Sequence, residues 1–257
     1  MNFLFRLYKY CNEEISDPRT KKWLFVNSPL SIVIIISIYL YTVRKIGPKF
    51  MKNRKAFNLE KAMTIYNVIQ VLLSSFIVTE ILRTYFWQTR PNLFCDPVNV
   101  STSDEYMYHA FIVQLYFFAK ISELLDTIFF ILRKKWNQIS QLHVFHHSGM
   151  IFVGWVAVKY VPGGHSMLTV ALNSFVHIIM YIYYLLLSVK PELRYSIWWK
   201  KYITQLQLAQ FVLVMLHHLF AFVLNCGYPR SVSFWVLNHI IFIALMFVDF
   251  YRRTYTS

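Results

Sequence analysis

Met167-Leu-Thr-Val-Ala-Leu-Asn173-Ser-Phe-Val-His177-Ile-Ile-Met-Tyr181-Ile-Tyr-Tyr184-Leu-Leu-Leu-Ser-Val189 carries no Asp, Glu, Lys or Arg. A helix needs about 20 such apolar residues to cross a hydrocarbon core. Yet Asn173, His177, Tyr181 and Tyr184 recur at i, i+4, i+8 and i+11 and so share one helical face. Reading outward, six further apolar runs of similar length accompany Met167–Val189: Trp23–Val43, Ala62–Leu82, Tyr108–Leu132, Leu142–Val161, Ile203–Leu224 and Phe234–Tyr251. The 257-residue chain is 57% hydrophobic and 15% charged, with charge gathered between the runs. Soluble domains average about 25% charged residues. These features predict an all-α polytopic membrane protein with seven transmembrane helices.

The net charge of +14 reads as topology, and nucleic acid is not an expected partner. Basic residues collect at Arg44–Lys61, at Arg133-Lys134-Lys135, at Lys190, Arg194, Lys200 and Lys201, and at Arg252-Arg253. With seven spans these places share one side, which the positive-inside rule makes cytosolic. Residues 1–257 are then one seven-span membrane domain, with 1–22 a lumenal N-terminal segment and 252–257 a short cytosolic tail. The residues before Trp23 lack the apolar core of a cleaved signal peptide. Cys95 and Cys226 fall in two non-cytosolic loops, where an oxidising lumen permits a disulfide; two unrelated thiols are the alternative, and Cys11 is left over. Asn99-Val-Ser101 is a glycosylation sequon in the Cys95 loop.

Four polar constellations interrupt the apolar runs. Lys120, Glu123, Asp126 and Thr127 occupy one arc of roughly 120°; Glu123 and Asp126 read equally as a structural polar network that neutralises a buried cation. His143, His146 and His147 fall within about 100° of arc. Ionisable groups at membrane depth mark a pathway or a reaction centre, although an interfacial polar patch is the plainer alternative. Asn173 and His177 form the third set, Asn173 being equally suited to interhelical hydrogen bonding. Thr204, Gln207 and Gln210 form the fourth. His217, His218 and His239, without matching partners in sequence, read as packing or lining residues.

Lys120-x-x-Glu123-x-x-Asp126-Thr127, His143-Val-Phe-His146-His147, Asn173-x-x-x-His177-x-x-Met180-Tyr181 and Thr204-x-x-Gln207-x-x-Gln210 occur in this order. On these motifs the chain resembles the ELO-type elongases of very-long-chain fatty acids, membrane condensing enzymes of the endoplasmic reticulum. The Cys95-Asp-Pro-Val loop looks like the animal, particularly insect, branch. The tail Arg252-Arg253-Thr-Tyr-Thr-Ser257 departs from the dilysine retrieval signal that many members carry.

The resemblance implies condensation of a long-chain acyl-CoA with malonyl-CoA to a 3-ketoacyl-CoA two carbons longer, with release of CO2 and CoA and without a cofactor or metal. It further implies an endoplasmic reticulum membrane protein whose spans two to four and five to seven form two three-helix units around a tunnel, span one standing outside. Other enzymes of the elongation cycle and a second copy of the chain are possible partners. A neutral imidazole can attack a thioester, and His146 is the expected nucleophile, with His177 facing it. His143 and His147 would orient groups or move protons. Asn173, His147 and His177 would stabilise the enolate formed on decarboxylation. Lys120, Arg133, Lys135, Lys200 and Arg253 suit the CoA phosphates, with Gln138, Tyr183, Thr204 and Gln207 as neutral partners. Phe117, Phe118, Trp155, Phe211 and Trp235 can line the tunnel or simply pack. The competing readings are a membrane di-iron desaturase or hydroxylase, which also carries HxxHH boxes, and a non-enzymatic seven-span receptor or transporter.

Overall fold

A computed structural model describes residues 3–88, 92, 95–189, 192, 197–224 and 227–256. Among these the regular structure is helical throughout: α1 (Phe3–Lys9), α2 (Pro29–Tyr41), α3 (Gly47–Met51), α4 (Glu60–Arg83), α5 (Asp104–Ser122), α6 (Leu124–Leu132), α7 (Gln141–Tyr160), α8 (Ser166–Val189), α9 (Ile197–Leu224) and α10 (Arg230–Tyr255). Local chemistry sets several starts. Ser28 Oγ accepts the Leu30 amide ahead of Pro29 at the first turn of α2, and Ser140 Oγ accepts the His143 amide at the start of α7. α2 continues through a π segment, Thr42–Ile46, into α3. There Gly47 lets the backbone approach α6, since a Cβ would meet Ile131 Cγ2 at 2.8 Å.

Five helical stretches are long and apolar enough to cross a membrane, by length and composition: Pro29–Met51, Glu60–Phe86, Ser166–Val189, Trp198–Leu224 and Arg230–Tyr255. The expectation of seven spans is therefore corrected to five. The two runs that fail are Tyr108–Leu132 and Leu142–Val161, and the reason is chemical. The first is divided at Glu123 into α5 and α6, and α5 carries Asp104, Glu105 and Lys120. The second is α7, which carries three histidines near its start and Lys159 at its end. The expected division into two three-helix units around a tunnel is not observed either. The most extensive packing joins α4 to α8, which the expectation placed in different units; α9 packs on α10 and α5 on α7. Nor does the first span stand wholly outside, because Ile32, Tyr39 and Val43 are buried against its neighbours.

The segment before α2 is built into the bundle. Arg19 and Asp17 form an ion pair at 2.8 Å with both side chains 1% exposed. The same guanidinium donates to the carbonyls of Tyr106 and Pro162. It thereby ties together the beginning of α5 and the residue just after α7, so the chain from Asp104 to Tyr160 leaves and returns at one end of the bundle. Thr20 Oγ1 donates to the Val158 carbonyl and Lys159 Nζ to the Val26 carbonyl. The Lys159 carbonyl accepts the Asp17 amide, and Trp155 Nε1 donates to the Phe25 carbonyl. The segment thus satisfies the open C-terminal carbonyls of α7.

Cys95 is disulfide-bonded and Cys11 is free, while Cys226, its expected partner, lies outside the described residues. A polar cavity of about 170 Å³ opens beside Arg19, Asp96, Asn99 and His109. Burial pushes the Asp96 carboxyl in its wall up to about 6. Asn99 is exposed, and its Oδ1 accepts the Ser101 amide in a local turn.

Removing one partner of a buried, hydrogen-bonded ion pair costs about 3–5 kcal/mol. Arg19→Ala should accordingly lower the thermal midpoint of the purified full-length protein in detergent by several degrees. A midpoint equal to that of the parent would show that Arg19 does not clamp the α5–α7 segment.

Candidate active site

Glu123 ends α5 and turns the chain into α6. From that bend its carboxylate reaches two groups. Lys120 Nζ donates to Glu123 Oε1 at 2.7 Å, and His177 Nδ1 lies 3.0 Å from the same oxygen. Lys120 Nζ also stands 3.3 Å from His177 Nε2. A single neutral tautomer satisfies all three contacts: Nδ1–H donates to the carboxylate and Nε2 accepts from the ammonium. Lys120 and Glu123 are each 2% exposed. Lys120, expected at a phosphate-binding entrance, is instead committed to this buried triad. The alternation that brings it here is simple, because Lys120 and Glu123 are three residues apart on one helical face.

Asp126 sits one turn further on and accepts from Tyr181 Oη at 2.8 Å, while Tyr66 Oη is 3.2 Å from Tyr181 Oη. Thr127 Oγ1 stands between Tyr39 Oη at 3.0 Å and His143 Nε2 at 2.8 Å. The histidine box lies on the first turns of α7. The His143 and His147 ring centroids are 4.3 Å apart, and His147 and His146 lie at 5.6 Å. His146 packs edge-on against Phe247 of α10. Its Nδ1 is buried without a hydrogen-bond partner among the described residues. Lys120, Glu123 and His177 lie close enough to His146 to influence it electrostatically, so the box and the triad are neighbours.

Asn173 lies one turn before His177 on α8. Tyr116 Oη donates to its Oδ1 at 2.9 Å, which turns the amide nitrogen the other way, towards Gln210 Oε1 at 3.5 Å. Asn173 and Gln210 also line an apolar cavity of about 60 Å³. Its wall includes Tyr116, Met150 one turn beyond His146, Phe211, Val214, His239, and at the far end Thr169, His218 and Tyr228. Of the other aromatics considered, Phe117 and Trp155 are core residues. Phe118 stacks on Phe117, and Trp235 stacks on His239.

The residues assigned to CoA do not form one cluster of free donors. Lys135 and Gln138 are exposed in the α6–α7 turn, and Arg133 is half-buried with Nη1 3.2 Å from Met63 Sδ. Thr204 Oγ1 donates to the Lys200 carbonyl one turn back, and Gln207 Nε2 is 3.9 Å from Met180 Sδ. Arg253 pairs with Asp249 at 2.9 Å. Tyr183 is buried and its hydroxyl has no hydrogen-bond partner among the described residues.

Three tyrosines that sequence reading passed over, Tyr39, Tyr66 and Tyr116, supply hydroxyls to Thr127, Tyr181 and Asn173. Tyr116 had a visible signal, since it precedes Lys120 by four residues and so shares its face. Among the described residues, the histidines that converge closely enough to share a metal ion are His165, His217 and His218 rather than the box.

The chain matches the model of the ELO, or GNS1/SUR4, family over residues 24–257. It is 42% identical to very long chain fatty acid elongase 7 of Drosophila melanogaster over 94% of this chain and 74% of the relative. It is 37% identical to a very long chain fatty acid elongase of Aedes aegypti over 100% of this chain and 72% of that protein. With the human very long chain fatty acid elongase 1 the identity is 40%, over 94% and 87% of the two chains. The four motifs, the helical membrane bundle and these matches agree: the chain belongs to the ELO (GNS1/SUR4) family of very-long-chain fatty acid elongases.

Proposed function

We propose that this protein joins a long-chain acyl-CoA to malonyl-CoA through an acyl group held on His146. The observation that carries the reading is the state of the His146 ring. In the tautomer that carries its proton on Nδ1, which is buried without a hydrogen-bond partner among the described residues, Nε2 keeps the lone pair. Nε2 attacks the thioester carbonyl, a C–N bond forms, the C–S bond breaks, and the thiolate takes up a proton to leave as CoA. Malonyl-CoA then loses CO2, and the resulting enolate carbon attacks the acyl-imidazole. A C–C bond forms, the C–N bond breaks, and His146 is restored beside a 3-ketoacyl-CoA two carbons longer.

His177 holds its place through the Lys120–Glu123 pair and serves, with His147, in the proton movements. His143 orients the box through Thr127. Asn173 turns its amide N–H groups towards the enolate oxygen, with Tyr116 setting that orientation. The apolar cavity beside Met150 and Phe211 takes the first part of the acyl chain. CoA approaches from the end that bears Arg133, Lys135 and Gln138, with Tyr183, Lys200, Thr204, Gln207 and Arg253 towards the other rim.

In the endoplasmic reticulum membrane this end faces the cytosol. Five candidate crossings, an odd number, leave the termini on opposite sides. The Arg44–Lys61 stretch at the end of the first crossing holds seven Lys and Arg residues, which supports a lumenal N-terminal segment and a cytosolic C-terminus.

Purified protein given malonyl-CoA and a panel of acyl-CoAs should form 3-keto products, and His146→Ala should abolish them while leaving the protein folded. Incubation with acyl-CoA alone should add one acyl mass to the intact parent chain and none to His146→Ala. An adduct that persists on the variant would move the nucleophile elsewhere. A graded pair tests the enolate site. Asn173→Ala should lower turnover by about 10²–10³-fold, whereas Tyr116→Phe, which loses one positioning hydrogen bond, should lower it by roughly three- to tenfold. Equal losses in the two variants would argue against the division of roles.

A further inference from the structure

His165, His217 and His218 take no part in the condensation. His165 closes the turn between α7 and α8, and His217 and His218 lie on α9. They are 0%, 8% and 2% exposed. The His165 and His217 rings stack with centroids 3.5 Å apart and planes 11° from parallel, and His218 stands edge-on to His165 at 5.1 Å. One ring nitrogen from each comes within 4.8 Å of the others.

The tautomers point the same way. His165 Nε2 is 3.1 Å from the His217 carbonyl oxygen. A carbonyl only accepts, so Nε2 carries the proton and Nδ1 is left with a lone pair. That Nδ1 is buried and has no hydrogen-bond partner among the described residues. At His218, Nε2 is 3.1 Å from Thr169 Oγ1 and Nδ1 is buried without a hydrogen-bond partner among the described residues; with the hydroxyl accepting, His218 takes the same tautomer. Burying such lone pairs unpaired costs free energy. An imidazole with one nitrogen tied to a carbonyl or hydroxyl and the other presenting a lone pair is the arrangement of a metal-bound histidine.

We infer that His165, His217 and His218 form a binding site for one divalent transition-metal ion of the zinc type, with a fourth position left for an exogenous ligand. Three imidazoles without a carboxylate suit zinc and disfavour calcium or magnesium, which take oxygen ligands. To bind one ion, the stacked His165 and His217 rings would turn out of parallel as their nitrogens close from within 4.8 Å to the roughly 3.4 Å spacing of a tetrahedral zinc site. The backbone around the site is held. The His165 amide donates to the Asp96 carbonyl at 2.7 Å, and Gly164 adopts φ +54° where a Cβ would strike the Pro97 carbonyl at 2.7 Å. A bound ion would fasten the α7–α8 turn to α9 at the far end of the apolar cavity, whose wall includes His218 and Tyr228.

The test uses the full-length protein in detergent, freed of any polyhistidine tag, stripped with a chelator and titrated with zinc chloride. The parent should take up about one zinc per chain and, with cobalt in its place, develop the visible absorption of a tetrahedral site. His165→Ala and His218→Ala should each lose this uptake, and His146→Ala should keep it. If the first two fail to fold, Thr169→Val removes only the hydroxyl behind His218 and should weaken zinc binding about 10–100-fold. No uptake by the parent, full uptake by both folded histidine variants, loss in His146→Ala, or unchanged affinity in Thr169→Val would each overturn the assignment.

Discussion

A lysine ammonium and a glutamate carboxylate 2.7 Å apart inside an apolar helical bundle set the terms for the rest of this structure. Neither charge tolerates that environment alone, and stripping one partner from such a pair costs about 3–5 kcal/mol. The pair must therefore be formed and must stay formed. Glu123 can reach Lys120 only because both lie on one face of the same turn, and it reaches His177 only because α5 ends there. The bend between α5 and α6 thus follows the same residue that organises the site. Pairing also fixes α8 against α5, since the His177 ring is held at both nitrogens.

The same constraint explains why the membrane-compatible helices are five and not seven. Helices α5, α6 and α7 carry Lys120, Glu123, Asp126, Lys159 and the histidine box. Such groups are expensive against lipid and settle where protein partners satisfy them. Phe117, Ile112 and Val113 of α5 and Ile151 and Val158 of α7 are buried to 1% exposure or less, in one core with Ile77 and Ile81 of α4. The apolar helices supply most of the environment, and α8 among them also brings Asn173 and His177 to the polar groups of α5, α6 and α7. Arg19, bonded to carbonyls at both ends of the α5–α7 segment, closes it off.

Much of the site was legible in sequence because its spacing is local. Lys120/Glu123, His143/His146/His147 and Asn173/His177 each lie within one or two helical turns, so periodicity alone puts each set on one face. What periodicity does not carry is the partner across the bundle. Tyr39, Tyr66 and Tyr116 stand outside the four motifs, and only folding brings their hydroxyls to Thr127, Tyr181 and Asn173. Lys120 read as a cation for phosphate because a sequence does not report its 2% exposure. Counting spans by apolar length overlooked that a run may be apolar enough to bury yet too polar to face lipid. Residues 1–22 read only as a lumenal N-terminal segment, since their sequence says nothing of the carbonyls they meet.

The division of labour among the histidines follows from which nitrogens are already engaged. His143 Nε2 is spent on Thr127, itself bonded to Tyr39. Both nitrogens of His177 face the Lys120–Glu123 pair, and acylating either one would break a buried, charge-assisted contact. His146 has no such commitment, because its Nδ1 is buried without a hydrogen-bond partner among the described residues. On the proposed reading, an acyl group can come and go at His146 without disturbing the ion pair that holds the helices together. A nucleophile at His177 would have to dismantle the site in every turnover, and that physical difference separates the two candidates more firmly than their positions in the motifs.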